Sequence, residues 1–451
     1  MKLGIGVVSF GPDVRIDLDL IRRAESLGFD SAWTAEAYGN DAVTTATWVA
    51  AQTTRMRVGT AIMQMPARTP AMTAMTAATL DRLSGGRFIL GIGPSGPQVV
   101  EGFHGVPYGK PLTRTREYIR IVREIWAREK PLEFSGSHYQ IPAQGEGTTG
   151  LGKPLKSILH ANPAIPIYTA SISPAGLRCA AEVADGVIPM MIDPEKFDQL
   201  QRPSLEAGFA KAGGGKGLHV FDVMANVTVI VGDDLEKARM PIKMNLALYI
   251  GGMGARGKNF YNDYAKRLGY EAEAVAIQDL FLDGKKMEAA AAVPDALVDA
   301  VHLVGPKERI RDRLQAWKAL GARGDLAAMQ IGSSQPEALE LLAEELLQGT
   351  VVSCSARGGS RKATKEPLHS LHPAVVIGRL APHVLEDLGV RKDQELFVGE
   401  ACDDAFGHGL GLHHAIARRG RRGGRVPVVL RHRGSDRLGA EERDLNPLMA
   451  M

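Results

Sequence analysis

The chain has 451 residues, 45% hydrophobic and 23% charged, which is the composition of a folded globular protein and excludes a disordered or fibrous one. A net charge of +3 is too small to argue for nucleic-acid binding by itself. Three cysteines (Cys179, Cys354 and Cys402) without CxxC spacing give neither a disulfide framework nor a zinc site.

No stretch of about 20 apolar residues is present, so no membrane span is expected. The first residues, Met1 to Val8, lack a long apolar signal-peptide core, and together with the unpaired cysteines this points to the cytoplasm. Charge is unevenly spread. Residues 351–451 hold 16 Lys+Arg against 12 Asp+Glu and seven of the twelve histidines, whereas residues 1–350 are almost neutral. The chain therefore divides near residue 350.

In chain order, residues 2–8 read as a buried strand. Residues 17–27 form an amphipathic helix with Leu20, Ile21, Ala24 and Leu27 on one face, and Gly28 ends it. Strand 31–34, helix 41–52, strand 57–62, helix 69–83, strand 87–91 and helix 113–127 follow. Residues 132–165 break the rhythm with a Gly/Pro-rich excursion and a small hairpin turning at Ser135-Gly136. Strand 167–169, helix 174–183, strand 186–190, a helix starting near Pro194 and a long strand 220–231 come next. Residues 237–293 read as an Ala-rich helical excursion. Residues 297–321 read as helix broken at Gly305-Pro306, and strand 327–331 and helix 336–347 close the series.

About eight βα units over this length predict a closed (β/α)8 barrel, a TIM barrel with insertions, rather than a doubly wound sheet. The expected organisation is a barrel over residues 1–347, a linker over 348–366 and a basic C-terminal extension over 367–451. Ligands of such barrels sit at the C-terminal strand ends. Here those ends are Ser9-Phe10, Thr34-Ala35-Glu36, residues 61–65, 91–96, 169–173 and 189–191.

One strand end imitates something else. Gly91-Ile92-Gly93-Pro94-Ser95-Gly96 matches G-x-G-x-x-G, the dinucleotide-binding pattern. That pattern aims backbone N–H groups and a helix N-terminus at a pyrophosphate. Pro94 deletes one donor, and the motif follows the fourth strand instead of the first. The glycines are better read as clearance where backbone approaches a flat ligand.

With these segments in place, the chain resembles the bacterial-luciferase-like flavin and deazaflavin oxidoreductases. The matching stretches are Ala24-Glu25-Ser26-Leu27-Gly28-Phe29-Asp30-Ser31-Ala32-Trp33, Val58-Gly59-Thr60-Ala61-Ile62, Leu83-Ser84-Gly85-Gly86-Arg87-Phe88 through Gly93, and Ala184-Asp185-Gly186. The likeness is greatest to the coenzyme F420-dependent branch, which includes methylenetetrahydromethanopterin reductase and sugar-phosphate dehydrogenases. It implies hydride transfer between F420 and a small organic substrate. An FMNH2-dependent monooxygenase acting with O2 is the alternative on the same fold.

The resemblance also implies positions for the site. A bulge with a non-proline cis peptide at Ala61, Ile62 and Met63 would support the cofactor ring, with Gly93 and Ser95 beside it. On the residues alone, Ile62, Met63 and Met65 read sooner as barrel core, since Met is a common gap filler. Ser171, Ile172 and Ser173 would hold the cofactor phosphate. Their own chemistry agrees, since Ser173 precedes Pro174 as an N-cap and the helix dipole favours an anion there. Glu36 occupies a position that commonly carries an acidic residue near the cofactor, and Glu101 and His104 are further proton-transfer candidates. A solvated glutamate and a structural histidine are the plain readings of the last two. The sequence departs from the sugar-phosphate dehydrogenases in two places: Ala37 follows Glu36 where histidine stands in those enzymes, and Ser95, Gly96 and Pro97 replace a catalytic glutamate. No metal ligand set is expected. The expected partners are a small-molecule substrate and a second copy of the chain in a homodimer.

In the extension, the run from Arg418 to Arg425 is basic and glycine-rich, as is the stretch from Ser353 to Lys365. Such clusters can bind nucleic acid, but no aromatic residues interleave them, and a solvated linker is the better reading. His408, His413 and His414 lack a metal-ligand pattern. Leu368-His369-Ser370-Leu371-His372-Pro373 faintly resembles the start of a thiolase, without its nucleophilic cysteine near Arg433-Gly434-Ser435-Asp436.

Overall fold

A computed structural model describes residues 1–7 and 12–347, together with the backbone of three short strands further on. The barrel strands are β1 (Lys2–Val7), β2 (Ser31–Thr34), β3 (Arg57–Thr60), β4 (Phe88–Gly93), β5 (Ile167–Ala170), β6 (Gly186–Ile188), β7 (Asp222–Val231) and β8 (Ala328–Gly332). Each pairs in parallel with the next, and β8 pairs with both β7 and β1, which closes the ring. The chain folds as the predicted (β/α)8 barrel.

The helices start where short polar side chains stand before apolar runs. Asp17, Asp41, Thr69 and Ser173 each accept a hydrogen bond from the backbone three residues on, as N-caps do. Apolar residues on the outer face of the strands and the inner face of these helices form one large core, containing Leu3, Ile5, Val58, Leu90, Ile167 and Val227.

Inside the ring the packing is different. The Trp33 indole lies across β1 and β3, so close that a Cβ on Gly59 would come within 2.4 Å of it and one on Gly4 within 2.8 Å. Its Nε1 donates to Ser31 Oγ at 2.8 Å. Tyr168 stacks at 5.8 Å from the Trp33 ring, and its hydroxyl donates to Asp222. Arg57 pairs with Asp30 beside them. The N-terminal half of the barrel is thus a filled floor, which leaves the C-terminal half for a ligand.

One expectation changes. The helix read over 297–321 contains a strand: Asp295–Val301 is helical, Leu303–Gly305 pairs with the end of β7, and helix resumes at Lys307–Ala322. The excursion after β7 comprises four helices before that point, Leu235–Ala247, Phe260–Arg267, Glu271–Leu282 and Lys286–Ala291, with a core of its own around Ile250, Tyr264 and Val298. The hairpin at Ser135-Gly136 forms as expected, with Phe134 opposite Ile141.

Residues 355–451 form a second unit. Within it, strands Leu396–Gly399, Ala415–Arg419 and Arg425–Val428 make an antiparallel sheet, with Arg419 opposite Arg425. Both ends of the basic run therefore lie in strands, where a linker was expected. Ser9-Phe10, the 348–366 linker, His408, His413, His414 and the thiolase-like stretches lie outside the described residues.

Candidate active site at the barrel mouth

The site begins where β3 stops. The Ala61-Ile62 peptide is cis, at the position the resemblance implied. Pairing then resumes, with Met63 opposite Ile92 and Gln64 opposite Gly93. Thr60 locks the two strands together: its hydroxyl donates to Gly91 O at 2.6 Å and accepts from Gly91 N at 3.1 Å. A Cβ on Gly91 would lie 1.7 Å from Thr60 O, so only glycine permits this crossing. One layer higher, a Cβ on Gly93 would stand 3.0 Å from the Ile62 side chain and 3.4 Å from Ala170 Cβ. Ile62, Gly93 and Ala170 thus meet as a low apolar surface, with half-buried Ala61 adjoining it.

Met63 does not share that surface. Successive side chains of an extended segment point to opposite sides. Met63 is fully buried in the layer between the barrel and its helices, where Thr73 Oγ1 contacts its sulfur. Only its backbone lies on the rim. Ser95 has φ 59°, a left-handed turn that carries the chain away from β4, and its carbonyl accepts from the Tyr108 hydroxyl at 3.2 Å.

The loop 171–173 leads into helix Pro174–Val183. Ser173 Oγ accepts from Gly176 N at 3.1 Å. A Cβ on Gly176 would lie 2.9 Å from Ser171 Oγ and 3.0 Å from Ser173 Oγ, so the two hydroxyls flank the first turn of helix Pro174–Val183. Arg267, from the excursion, donates to Ile172 O at 2.9 Å and lies over the Tyr264 ring. Burial pushes its pKa down, although a guanidinium stays protonated throughout the usual pH range. No sequence pattern had marked Arg267; it arrives from a helix far along the chain.

Glu36 ties two loops of the mouth together. Its side chain is 6% exposed and grips Arg68 through both oxygens. It also accepts from Gln64 N at 2.7 Å and Ala42 N at 3.1 Å. Accepting from four donors, it fastens the loop after β3 to the helix after β2. Glu101 is exposed and accepts from Tyr108 N at 3.0 Å, bracing the loop after β4. His104 is half-buried against Phe103, and its Nε2 is a buried atom without a hydrogen-bond partner.

Among the described residues no helix is long and apolar enough to cross a membrane. Comparison with known proteins agrees with this architecture. The model of the luciferase-like monooxygenase family matches residues 6–324. A Mycobacterium tuberculosis protein named as a coenzyme F420-dependent oxidoreductase is 45% identical over 323 residues, covering 71% of this chain and 93% of that protein. The 5,10-methylenetetrahydromethanopterin reductase of Archaeoglobus fulgidus is 28% identical over 355 residues, covering 77% and 99%. The structure of the coenzyme F420-dependent tetrahydromethanopterin reductase of Methanopyrus kandleri superimposes with a TM-score of 0.62 at 24% identity, over 77% and 99% of the two chains. The chain belongs to the luciferase-like monooxygenase family.

Proposed function

We propose that this protein is a coenzyme F420-dependent oxidoreductase acting on a small organic substrate. The observation that carries the reading is the 45% identity, over nearly the full length of the relative, to a protein named for F420. The residues present suit such a cofactor. Ile62, Gly93 and Ala170 offer a low apolar bed for a flat ring, and Ser171, Ser173 and Arg267 offer hydroxyls and a cation for a phosphate.

Bound there, F420 supplies the site for hydride exchange with a substrate carbon. The chain's own work is positional. Gly91 and Thr60 fix the two strand ends that would support the ring, and Glu36 with Arg68 fixes the loop that carries Ile62. His104, whose buried Nε2 lacks a hydrogen-bond partner, is the candidate for exchanging a proton with substrate oxygen.

Titration of the protein with F420 and separately with FMN, followed by fluorescence, tests the reading. Retention of F420 is the expected result. Retention of FMN alone would replace the reading by the monooxygenase alternative. Ser171→Asp with Ser173→Asp should weaken F420 binding at least ~100-fold by setting charge against phosphate. Unchanged affinity in that double variant removes the phosphate assignment.

The same proposal includes a homodimer and a cytoplasmic location. Helices Ala42–Gln52 and Pro70–Leu83 turn Trp48, Met72, Met75 and Leu83 outward, and apart from Arg82 the exposed side chains of the two are uncharged. An uncharged face suits the same face of a second copy. A monomeric mass in sedimentation, for the wild type, would discard it. The buried free thiol of Cys179 supports the cytoplasm, and an oxidised, exported protein on cell fractionation would not.

A further inference from the structure

Five aromatic side chains outside the cofactor bed gather on the C-terminal side of the barrel from three separate segments. Tyr38 follows β2, Phe103 and Tyr108 follow β4, and Tyr249 and Tyr261 come from the excursion after β7. Tyr38 and Phe103 are 61% and 65% exposed, yet they stand edge to face at 6.5 Å. Tyr249 and Tyr261 make a second edge-to-face pair at 4.8 Å. Tyr108 ties the group to the cofactor side through its bond to Ser95 O.

The phenols of the two pairs lie within electrostatic reach of one another. Burial raises the Tyr249 phenol, and the neighbouring Tyr38 phenol adds to the rise. Burial likewise raises Tyr261, and Tyr249 and Tyr108 add to it. The backbone beneath Tyr249 is held in place. It lies on a π-helical turn, Leu248–Gly252, whose Gly251 and Gly252 press on Phe281 so closely that a Cβ would come within 2.5 Å and 2.4 Å of that side chain. Asn259 Nδ2 donates to the carbonyls of Tyr249 and Ile250, both at 3.0 Å. Single π-turns of this kind recur at functional sites.

Exposed aromatic rings cost solvation unless a ligand covers them, and aromatic faces reward flat partners through offset and edge-on stacking. The five side chains of the cluster are themselves uncharged. We infer that Tyr38, Phe103, Tyr108, Tyr249 and Tyr261 form the substrate subsite, and that it takes flat aromatic carbonyl compounds or the corresponding alcohols. The inference rests on the proposed cofactor reading only for the statement that this molecule is the hydride partner.

The test is calorimetric titration of the full-length protein, with and without F420, using 2-naphthaldehyde and its saturated decalin analogue. The two probes are close in size and apolarity and differ in flatness. The expected result is binding of 2-naphthaldehyde about tenfold tighter than of the analogue, the equivalent of one or two aromatic contacts. Tyr38→Ala and Tyr249→Leu should each remove most of that preference while leaving F420 affinity within about twofold. Tyr38 is exposed, so its variant keeps the fold. Equal affinity for the two probes in the wild type, or equal weakening of both in the variants, overturns the subsite. Failure of F420 to bind overturns the cofactor reading instead, and the titration without cofactor still decides the subsite.

Discussion

The two halves of the barrel interior use glycine for opposite ends. In the N-terminal half, Gly4 and Gly59 make room that the Trp33 indole fills, and the polar groups nearby are matched: Trp33 with Ser31, Tyr168 with Asp222, Arg57 with Asp30. In the C-terminal half, Gly91 and Gly93 bring strands together beneath small side chains. On the side of the mouth, His104 Nε2 is buried without a partner. An unsatisfied buried polar atom costs about 1–3 kcal/mol. A fold tolerates that cost where a ligand repays it, so one half is built for stability and the other for binding.

The sharpest way to break this comparison is to empty the floor. Trp33→Ala should cost about 3–5 kcal/mol of stability by leaving a cavity between Gly4 and Gly59. F420 affinity of the molecules that remain folded should change by no more than about threefold. Denaturant unfolding and cofactor titration measure the two numbers. A large loss of affinity at unchanged stability would merge the floor with the site. A smaller effect is expected from Glu36→Gln, which removes one charge of a buried pair while Asp41 still holds Arg68. The cost should be about 2 kcal/mol, and the pH profile of kcat/KM should keep its shape. Loss of one limb of that profile would make Glu36 a proton carrier.

Glu36 also shows where sequence reading stops. Its place at a strand end was legible, because βα alternation and the turn at residues 85–86 fix the strand order. Its pairing was not, because the partner is Arg68, 32 residues on. The Ser173 cap was legible for the opposite reason: the serine, Pro174 and Gly176 are neighbours in the chain. The strand Leu303–Gly305 was read as helix because three residues are too few to show a period of two between helical stretches. The aromatic cluster and Arg267 left no trace in sequence, since their proximity exists only once the excursion folds back over the mouth. Met63 was misplaced by one step of strand alternation, which the interruption at Ala61-Ile62 makes hard to count.

The finest discrimination comes from making the same change in both halves. Adding a methyl group at Gly59 sets it 2.4 Å from a fused ring that is packed on every side, and no small shift relieves the overlap. Gly59→Ala should therefore cost about 2–3 kcal/mol and leave cofactor affinity within about threefold. At Gly93 the same methyl group meets the ends of the Ile62 side chain at 3.0 Å, and a change of rotamer relieves most of the conflict. Gly93→Ala should cost under about 1 kcal/mol, within the range of a displaced rotamer. Yet the methyl and the displaced Ile62 both rise into the bed on which the ring would lie, so F420 affinity should fall about tenfold. Unfolding and titration of the two variants together form a crossed test. If Gly93→Ala lowers stability as much as Gly59→Ala and spares the cofactor, the mouth is core like the floor, and the division between the two halves fails.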